Sequence, residues 1–357
     1  MKRKLVSIII TTFNSQKTLS LVLRSIKRQT FSQKQIEVIV VDGGSSDETV
    51  AIARKYKAKI IINPRTEQNY GKFLGYLNAK TKYIMFLDSD EVIENKSCLG
   101  IRTEAFTSNP NVKAVIGSGY KNPRGYPFIN KYINEFGDPF SFFIYRLSKS
   151  TSFFMSEMKR RYKVIEETKE YVIFDFSGIG NLPLIELTAG ASMIDAEFFK
   201  KEFPFLEKRV GLLNHSFHLL LSKFPCLAIA KNDAVIHYSA NNISIYLNKI
   251  SWRVKNNVHF VSSAGLSGFV GRDQFQSQFI LRYKKYLFIP YAFSFVLPIL
   301  DSIFLAITRK DLRYLFHFPL CLYTASQIIY NFVLKIIGIK PKLLSYGENK
   351  LIVSRTQ

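Results

Sequence analysis

The amino-acid sequence predicts an α/β protein with a doubly wound, Rossmann-like and mostly parallel sheet, followed by a helical, membrane-associated region. Short apolar segments alternate with amphipathic segments over residues 1–91, and two long apolar stretches occupy residues 286–340. One of the short apolar runs ends directly in Asp88, Ser89 and Asp90. Parallel strands buried on both faces have such continuous apolar runs, and ligands bind beyond the carboxyl ends of these strands. The three polar residues therefore indicate a candidate site.

Composition favours a membrane over a nucleic acid as the acidic partner. The 357 residues carry a formal net charge of +23 and include 31 Phe and 19 Tyr. Nucleic acid and an anionic membrane surface would both attract this charge. So many aromatic residues suit a membrane interface, and the sequence has no nucleic-acid-binding motif. The three cysteines are far apart and form no C-x-x-C pair, which favours a reducing compartment over a disulfide framework.

The first strands follow from short apolar runs. Residues 5–11 predict the first strand and, because no small-residue cleavage site follows them, not a signal peptide. A helix opens at Ser15, since apolar residues then recur at spacings of three and four. Residues 36–41 and 60–62 predict the second and third strands.

The turn after the second strand carries two glycines, which permit a tight turn and a close backbone approach. Ser45 and Glu48 have the spacing of a capping box and predict a helix over residues 47–56. A further helix is expected over residues 70–79, before the strand that ends at Asp88. Strands that alternate with helices in this way predict a doubly wound sheet with right-handed crossovers.

Residues 5–91 resemble the nucleotide-sugar half of a family 2 glycosyltransferase, which has the GT-A fold. The motifs that carry the resemblance are S-I-I-I-T-T-F-N, I-V-V-D-G-G-S-S-D-E-T and F-L-D-S-D, in this order. The resemblance implies an inverting sugar transferase whose catalytic domain covers residues 1–240. Its acceptor half, residues 92–240, would contain an insertion, and residues 187–201 are similar to the acceptor-side strand and the helix after it.

The resemblance also implies a donor site. The residues that correspond to the family pattern are Thr11, Phe13 and Asp42 for the nucleobase, Lys72 for the diphosphate, Asp88 and Ser89 for the nucleotide-sugar, and Asp88, Asp90 and His237 for the metal. The expected cofactor is Mg²⁺ or Mn²⁺, because such cations take carboxylate and diphosphate oxygens. A cation and a lysine together would neutralise the charge that develops on the leaving diphosphate.

Each of these assignments has a structural alternative. Asp42 could cap a turn, Lys72 could lie on a solvated helix face, and His237 could be a hydrogen-bonded core histidine. The chain also departs from the family pattern at Thr11, where the family usually has Pro, and at Ser15, where it usually has an acidic residue. The sequence therefore leaves the nucleobase unassigned.

The general base is the main departure from the family pattern. Family members typically carry a Glu-Asp pair after the acceptor-side helix, but this chain has Leu212 and Leu213 there. Three accounts stay open. His215 or His218 could serve as the base, because imidazole titrates near neutrality. Glu207 could reach the site from the preceding loop. Alternatively, a lipid monophosphate acceptor is already anionic and needs no base.

Three later segments suggest contact with lipid. Residues 140–154 mix aromatics with cations, which suits a lipid interface, a lipid phosphate or the packing of an insertion. The pattern of residues 241–285 predicts a basic amphipathic segment that connects the catalytic domain to the apolar segments. Residues 286–307 and 312–339 are each long enough to span a bilayer, and a tail follows over residues 341–357.

The predicted hairpin conflicts with the positive-inside rule, because Arg309, Lys310 and Arg313 lie in the loop between the two apolar segments. Two spans remain the prediction, and kinked, re-entrant or interfacial helices would remove the conflict.

We therefore expect a membrane-attached, inverting and metal-dependent glycosyltransferase with its catalytic domain on the cytoplasmic face. Its partners would be a nucleotide-diphosphate sugar, a polyprenyl phosphate or lipid-linked saccharide as acceptor, and the membrane, with no nucleic acid. The alternative is a non-catalytic scaffold subunit that binds a nucleotide sugar and has lost the general base.

Overall fold

A computed structural model of the chain describes residues 4–261, 268, 272, 275 and 279–342. Within this part, nine strands form one sheet in the order β3-β2-β1-β4-β10-β6-β11-β9-β8, and β5, β12 and β7 form a small second sheet. The strands are β1 Val6–Thr12, β2 Ile36–Asp42, β3 Lys59–Ile62, β4 Tyr83–Asp88, β5 Glu91–Ile93, β6 Ala114–Ile116, β7 Tyr120–Lys121, β8 Lys163–Glu167, β9 Tyr171–Asp175, β10 Ser192–Asp195, β11 Cys226–Ala230 and β12 Val235–His237.

Helices cover both faces of the large sheet and continue beyond it. The α-helices are α1 Gln16–Lys27, α2 Thr49–Lys55, α3 Gln68–Asn78, α4 Cys98–Ser108, α5 Phe128–Phe136, α6 Pro139–Tyr145, α7 Phe154–Arg161, α8 Ala196–Glu202, α9 Ser216–Leu221, α10 Ile243–His259, α11 Phe279–Lys284, α12 Phe288–Phe293, α13 Val296–Arg309 and α14 His317–Ile336. Short 3₁₀ helices lie at Gln33–Gln35, Pro204–Glu207, Val210–His215, Lys285–Leu287 and Leu312–Phe316.

The predicted α/β fold is confirmed, but the predicted mostly parallel sheet holds only for its first four strands. Strands β3, β2, β1 and β4 run parallel, and every residue of β1 is buried. The register places Thr11 of β1 beside Asp88 of β4, and Thr12 beside Asp42 of β2. The polar residues that end these three strands therefore meet at one edge of the sheet, as expected for parallel strands.

The remaining strands make the sheet mixed. Strand β10 pairs antiparallel with both β4 and β6, and β9 pairs antiparallel with β11 and β8. Strand β12, the predicted last strand of the catalytic domain, belongs to the small sheet, where it pairs with β5. This pairing places His237 beside Glu91, next to the Asp88-Ser89-Asp90 turn.

The predicted capping box is wrong. Helix α2 begins at Thr49, and its N-cap residue Glu48 accepts no hydrogen bond through its side chain. The Ser45 hydroxyl instead donates to Asp42 Oδ1 over 2.6 Å, and Asp47 Oδ1 accepts from the Thr49 amide over 3.0 Å. The carboxylate of Asp42 is the stronger acceptor within reach, so Ser45 belongs to the turn rather than to the helix cap.

The predicted basic connector begins with α10, and this helix packs on the protein. Tyr246 and Ile250 are buried in a cluster that also contains Leu305 and Leu320 from the carboxyl-terminal helices. The apolar face of α10 is therefore covered by protein. Between residues 262 and 278, only residues 268, 272 and 275 lie within the described part of the chain.

The two predicted spans are not confirmed. Among the described residues, no single helix is both long enough and apolar enough to cross a bilayer. The pair Arg282–Phe293 and Val296–Thr308 reaches the required length and composition together, but it is bent by 90°. The bend lies at Phe295, whose φ is 58°. Of the predicted tail, residues 343–357 lie outside the described part.

Candidate functional site

An ion pair between Lys72 and Asp88 lies at the carboxyl end of β4. The two side chains approach to 2.9 Å, Lys72 Nζ to Asp88 Oδ1, and both are largely shielded from solvent. Burial disfavours the charged form of Lys72, but Asp88 outweighs it and raises the lysine pKa above its ordinary value. The cation is therefore retained at the edge of the sheet, where the sequence predicts the diphosphate.

Helix α3 carries Lys72, and two glycines let this helix lie close to β1. A Cβ atom on Gly71 would stand 2.9 Å from Thr11 Cγ2, and one on Gly75 would overlap with the side chain of Ile9. Only a glycine fits where a helix backbone approaches a strand this closely. The two glycines thus determine how near Lys72 comes to the end of β4.

The second pair is Asp90 and His237. The Asp90 Oδ2 to His237 Nε2 distance is 3.5 Å, and the other ring nitrogen of His237 lies 2.8 Å from Asn134 Oδ1. Burial works against a charged imidazole, but Asp90 raises the pKa of His237. Burial likewise works against the Asp90 carboxylate, yet His237 brings the pKa of Asp90 below its ordinary value.

These two side chains fit a divalent cation. A contact from Asn134 to Nδ1 orients the ring with Nε2 toward Asp90, as is usual for metal-binding histidines. Over the described ranges, no three His, Cys, Asp or Glu side chains converge closely enough to form a complete protein cage. Two protein ligands with the rest supplied by a substrate diphosphate is the arrangement typical of Mg²⁺ sites.

The predicted nucleobase residues surround the end of β1. Asp42 accepts hydrogen bonds from the Thr12 hydroxyl over 2.9 Å and from the Gly44 and Ser45 amides over 3.0 and 2.8 Å. This carboxylate therefore organises the turn, as the structural alternative for Asp42 predicts. Thr11 Oγ1 is buried and has no hydrogen-bond partner in the part of the chain that the structure describes. The Phe13 side chain beyond it is half-buried.

Ser89 connects the acidic turn to the start of α1. Its hydroxyl lies 2.9 Å from the hydroxyl of Ser15, the residue that stands where an acidic side chain is usual. Ser15 also contacts the backbone of Phe13 through the same hydroxyl, at 3.3 Å. The contact between Ser15 and Ser89 therefore connects the predicted nucleobase region around Phe13 with the predicted metal region around Asp90.

Glu91 is a buried carboxylate that the sequence analysis missed. It accepts hydrogen bonds from the amides of Asp88 and Gly190, each over 3.0 Å, and from the Tyr120 hydroxyl over 2.9 Å. Burial first, and then the nearby Asp88 charge, raises the pKa of Glu91 to about 7. The sequence feature that could have identified Glu91 is its position directly after Asp88, Ser89 and Asp90. Glu91 holds the loop around Gly190 against the acidic turn.

Lys149 and Glu186 line a cleft beside Tyr120 and Gly190, on the acceptor side of the sheet. Glu186 forms an ion pair with Arg272. Burial alone would raise the pKa of Glu186, but Arg272, Lys149 and other cations lower it to about 2. Glu186 therefore stays ionised beside Arg272 and Lys149. The segment that carries Glu186 contains no motif, so its place in the cleft could not be predicted from local sequence.

Lys249 of α10 adds a cation beside Asp90. Its ammonium group donates to the Ser239 carbonyl and hydroxyl oxygens over 2.6 and 2.7 Å. Burial lowers the pKa of Lys249 to about 8, and the Asp90 charge opposes this shift. The predicted membrane connector thus contributes directly to the site, which the amphipathic pattern did not indicate.

The structure does not bring Glu207 to the site. Glu207 lies 3.9 Å from Lys200, and Lys200 donates to the carbonyl oxygen of Ala79. Ala79 precedes the amino end of β4, whereas Asp88 terminates that strand. Glu207 therefore lies toward the opposite edge of the sheet, away from the other predicted site residues.

The side chain of His215 lies inside the protein and does not line the cleft that contains Lys149 and Glu186. Its side chain is fully buried, with its ring centroid 4.9 Å from that of Phe275. His218 stacks on the same phenyl ring at 4.7 Å, and burial, followed by Arg272, lowers the pKa of His218 to about 3. Leu213, at one of the positions where the family carries a carboxylate, is buried in the core. Glu186 is the acceptor-side carboxylate that lines the cleft.

Comparison with known proteins finds a matching family model and relatives that are similar to part of the chain. The model of the family described as "Glycosyl transferase family 2" matches residues 7–174. Poly(ribitol-phosphate) beta-N-acetylglucosaminyltransferase TarS of Staphylococcus aureus is 32% identical over 97 residues, which are 26% of this chain and 17% of that protein. Cholesterol galactosyltransferase of Borreliella burgdorferi is 30% identical over 112 residues, 30% of this chain and 31% of that protein. The matched segment thus spans less than a third of either relative.

A solved structure resembles the chain over most of its length. The structure titled mannosyltransferase PcManGT from Pyrobaculum calidifontis in complex with GDP-Man and Mn²⁺ aligns with a TM-score of 0.50 at 11% identity. The alignment covers 93% of this chain and 88% of that one. At this identity the likeness supports the fold alone.

Proposed function

Residues 7–174 form a glycosyl transferase family 2 domain, and on this basis we propose that the chain transfers a sugar from a nucleotide-diphosphate sugar to a lipid-linked acceptor at a membrane. The transfer would invert the anomeric centre, as the sequence resemblance implies. The observation that carries the proposal is the pair of contacts Lys72–Asp88 and Asp90–His237 at the carboxyl end of β4.

The donor half of the site suits a nucleotide diphosphate. Lys72 would contact the diphosphate, and its retained positive charge would stabilise the negative charge that develops as the sugar bond breaks. Thr11 offers a buried hydroxyl without a partner in the described chain, at the end of β1. This hydroxyl and Phe13 would contact the nucleoside, while Asp42 shapes the turn beside them.

A divalent cation, Mg²⁺ or Mn²⁺, would be held by Asp90 and His237 together with phosphate oxygens of the donor. Carboxylate and imidazole together suit Mn²⁺, whereas Mg²⁺ favours oxygen ligands. Bound there, the cation would supply charge neutralisation for the leaving group. Lys249 would limit the net negative charge around Asp90 when the metal is absent.

The acceptor side suits an anion. Lys149 lines the cleft, and Arg272 pairs with Glu186 beside it, so these two cations would attract a phosphate. A polyprenyl phosphate would attack as an anion and would need no general base. A lipid-linked saccharide would instead need a proton acceptor for its hydroxyl. Glu186 lines the cleft, but its pKa of about 2 makes it a weak base, so the anionic phosphate acceptor suits the cleft better. Cholesterol, named in one relative, and poly(ribitol phosphate), named in another, show that matching segments occur in proteins with different acceptors.

Attachment to a membrane, with the catalytic domain on the cytoplasmic face, completes the proposal. It is supported by the net charge of +23 and by the apolar residues of the carboxyl-terminal helices. All three cysteines are free thiols, which agrees with a reducing compartment.

Transfer assays would test the proposal. Detergent-purified protein would be incubated with UDP- and GDP-sugars and Mn²⁺, with polyprenyl phosphate as acceptor, and the glycolipid product would be measured. Product from one donor, dependent on metal and lost in Lys72→Met, is expected. The scaffold alternative, favoured by Leu213 at a position where a carboxylate is expected, predicts donor binding without turnover for every donor and acceptor.

A further inference from the structure

Most large apolar side chains of helix α13 are exposed on the surface of the protein, and few of them are buried. Its buried residues are Pro298, Ser302, Leu305 and Ala306. Its exposed apolar residues are Val296, Leu297, Ile299, Leu300, Ile303, Phe304 and Ile307, with exposed fractions from 39% for Ile299 to 70% for Ile307. A surface helix of a water-soluble protein has the opposite pattern. Apolar surface of this extent marks a contact with another apolar phase.

The carboxyl-terminal half of α14 shows the same inversion. The polar residue Asn331 is only 3% exposed there. The exposed apolar residues of this half are Ile329, Tyr330, Phe332, Val333 and Ile336. We call the exposed apolar residues of α13 and of this half of α14 together the apolar surface.

Cations lie at the ends of the helices that form the apolar surface. Residues 279–342 contain nine Lys and Arg but only two acidic residues, Asp301 and Asp311. Each of these acids is paired with a cation of the catalytic domain: Asp301 with Arg146, and Asp311 with Lys131 over 3.0 Å. Of the nine cations, Arg309 pairs with Glu135 and Arg313 pairs with Asp311. The other seven leave the segment positively charged, which complements the anionic headgroups of a bilayer rather than a neutral or basic protein surface.

The turn between α13 and α14 is fixed to the catalytic domain. Arg309 Nε lies 2.8 Å from Glu135 Oε1, and Arg309 also contacts Glu157 at 3.4 Å. The Arg309 side chain is only 10% exposed. If α13 crossed a bilayer, this turn would lie about 30 Å away on the far side of the hydrocarbon. With 14 residues, α13 is moreover only about 21 Å long at 1.5 Å per residue.

We infer that the chain docks on an anionic bilayer in the plane of one leaflet, through the apolar surface, and that neither helix crosses the membrane. This inference rests on the membrane attachment in the proposed function but not on the transferase activity. It also removes the positive-inside conflict, because Arg309 pairs with Glu135 and Glu157 on the same side as the catalytic domain.

Flotation with vesicles tests the surface. The full chain would be mixed with vesicles of phosphatidylcholine alone or with anionic phosphatidylglycerol, and the floating fraction measured. We expect binding that is stronger to the anionic vesicles, and a roughly tenfold or larger loss of partitioning for Phe304→Asp and Ile307→Asp. Ile165→Asp, at an exposed apolar residue of β8, should bind as wild type. Equal binding by all variants would overturn the inference.

Labelling of a double-cysteine variant tests whether the helices cross. Lys34→Cys and Lys310→Cys would be combined with Cys226→Ser, since Lys34 and Lys310 are both exposed and the two other native cysteines are buried. After reconstitution into sealed vesicles, a membrane-impermeant maleimide should label both introduced cysteines of a molecule or neither. One label per molecule, detected by mass spectrometry, would show that α13 crosses and would overturn the inference.

Two further outcomes separate the competing explanations. Sedimentation that shows a dimer through the apolar surface, dispersed by Phe304→Asp and without vesicle binding, would assign the surface to a second copy of the chain and overturn the inference. Flotation as expected in a protein with no transfer activity would count against the proposed transferase and would leave the docking intact.

Discussion

Lys72 and Asp88 form an ion pair of 2.9 Å at the end of β4. The two residues are brought together by different elements, because α3 packs through Gly71 and Gly75 on side chains of β1, while β4 pairs with β1 within the sheet. A lysine held by a carboxylate remains charged although it is buried. The pair therefore places a permanent cation where a leaving diphosphate would be stabilised.

Replacement of Lys72 by Met should lower kcat/KM for sugar transfer by roughly 10²–10³, the loss usual for removal of one group that stabilises developing negative charge. The measurement is steady-state kinetics with the donor identified in the transfer assay. Lys80→Met is the matched control, since Lys80 is exposed just beyond the same helix. A folded Lys72→Met variant with wild-type kcat/KM would contradict the assignment.

Glu91 should make stability depend on pH. Its pKa is about 7 in the folded chain, against an ordinary value of 4.5, so the folded state binds more protons between these two pH values. Stability from this group is complete below about pH 4.5 and falls as the pH rises to about 7, by on the order of 3 kcal/mol at about 1.4 kcal/mol per pKa unit.

Urea unfolding from pH 4.5 to 8 would measure this effect. Glu91→Gln removes the titrating group, so its free energy of unfolding should decline less with pH than that of wild type. Glu94→Gln, at an exposed carboxylate of the same segment, should retain the wild-type slope. Parallel curves for wild type and Glu91→Gln would refute the predicted shift.

Arg102 and Asp233 form an ion pair that is completely buried, with Arg102 Nε 2.8 Å from Asp233 Oδ2. Arg102 also donates to the carbonyl oxygen of Ala191, in the loop that Glu91 holds. Arg102→Met should lower the free energy of unfolding by about 3–5 kcal/mol, because it leaves a buried charge without its partner. Lys121→Met breaks the exposed pair with Glu94 and should cost no more than about 1 kcal/mol. Equal losses in urea unfolding would contradict this account.

Two helical glycines should respond in opposite ways to alanine. Gly100 of α4 has no atom within 4 Å of an added Cβ, so Gly100→Ala should stabilise the chain by about 1 kcal/mol through helix propensity. Gly75→Ala introduces an overlap with Ile9 and should destabilise it by about 1–3 kcal/mol despite the same gain. Urea unfolding of both variants measures the difference, and stabilisation by both would show that α3 does not need its close contact with β1.

The sequence could predict the parts of the fold that depend on local pattern. Continuous apolar runs identify β1, β2 and β4, and the polar residues that follow them identify Asp42, Asp88 and Asp90. The capping box predicted at Ser45 is wrong because the Ser45 hydroxyl donates to Asp42, three residues before it, and does not cap the helix that follows. Local spacing does not distinguish these two partners.

Residues whose role depends on distant pairing could not be predicted. Glu91 is buried only because Gly190, nearly a hundred positions later, returns to cover it. Glu186 belongs to the site because the loop before β10 borders the cleft. Hydropathy alone also favours two spans, since it does not reveal that Arg309 returns to Glu135 across 174 positions.

Calorimetric titration with UDP- and GDP-sugars tests the central claim most directly. It would be run with and without Mn²⁺ on detergent-purified wild type, on Asp90→Ala and on the control Glu94→Gln. The account predicts that one donor binds wild type and the control only with metal, and that Asp90→Ala loses this binding. Absence of binding by any donor to wild type, or metal-dependent binding that persists in Asp90→Ala, would contradict it.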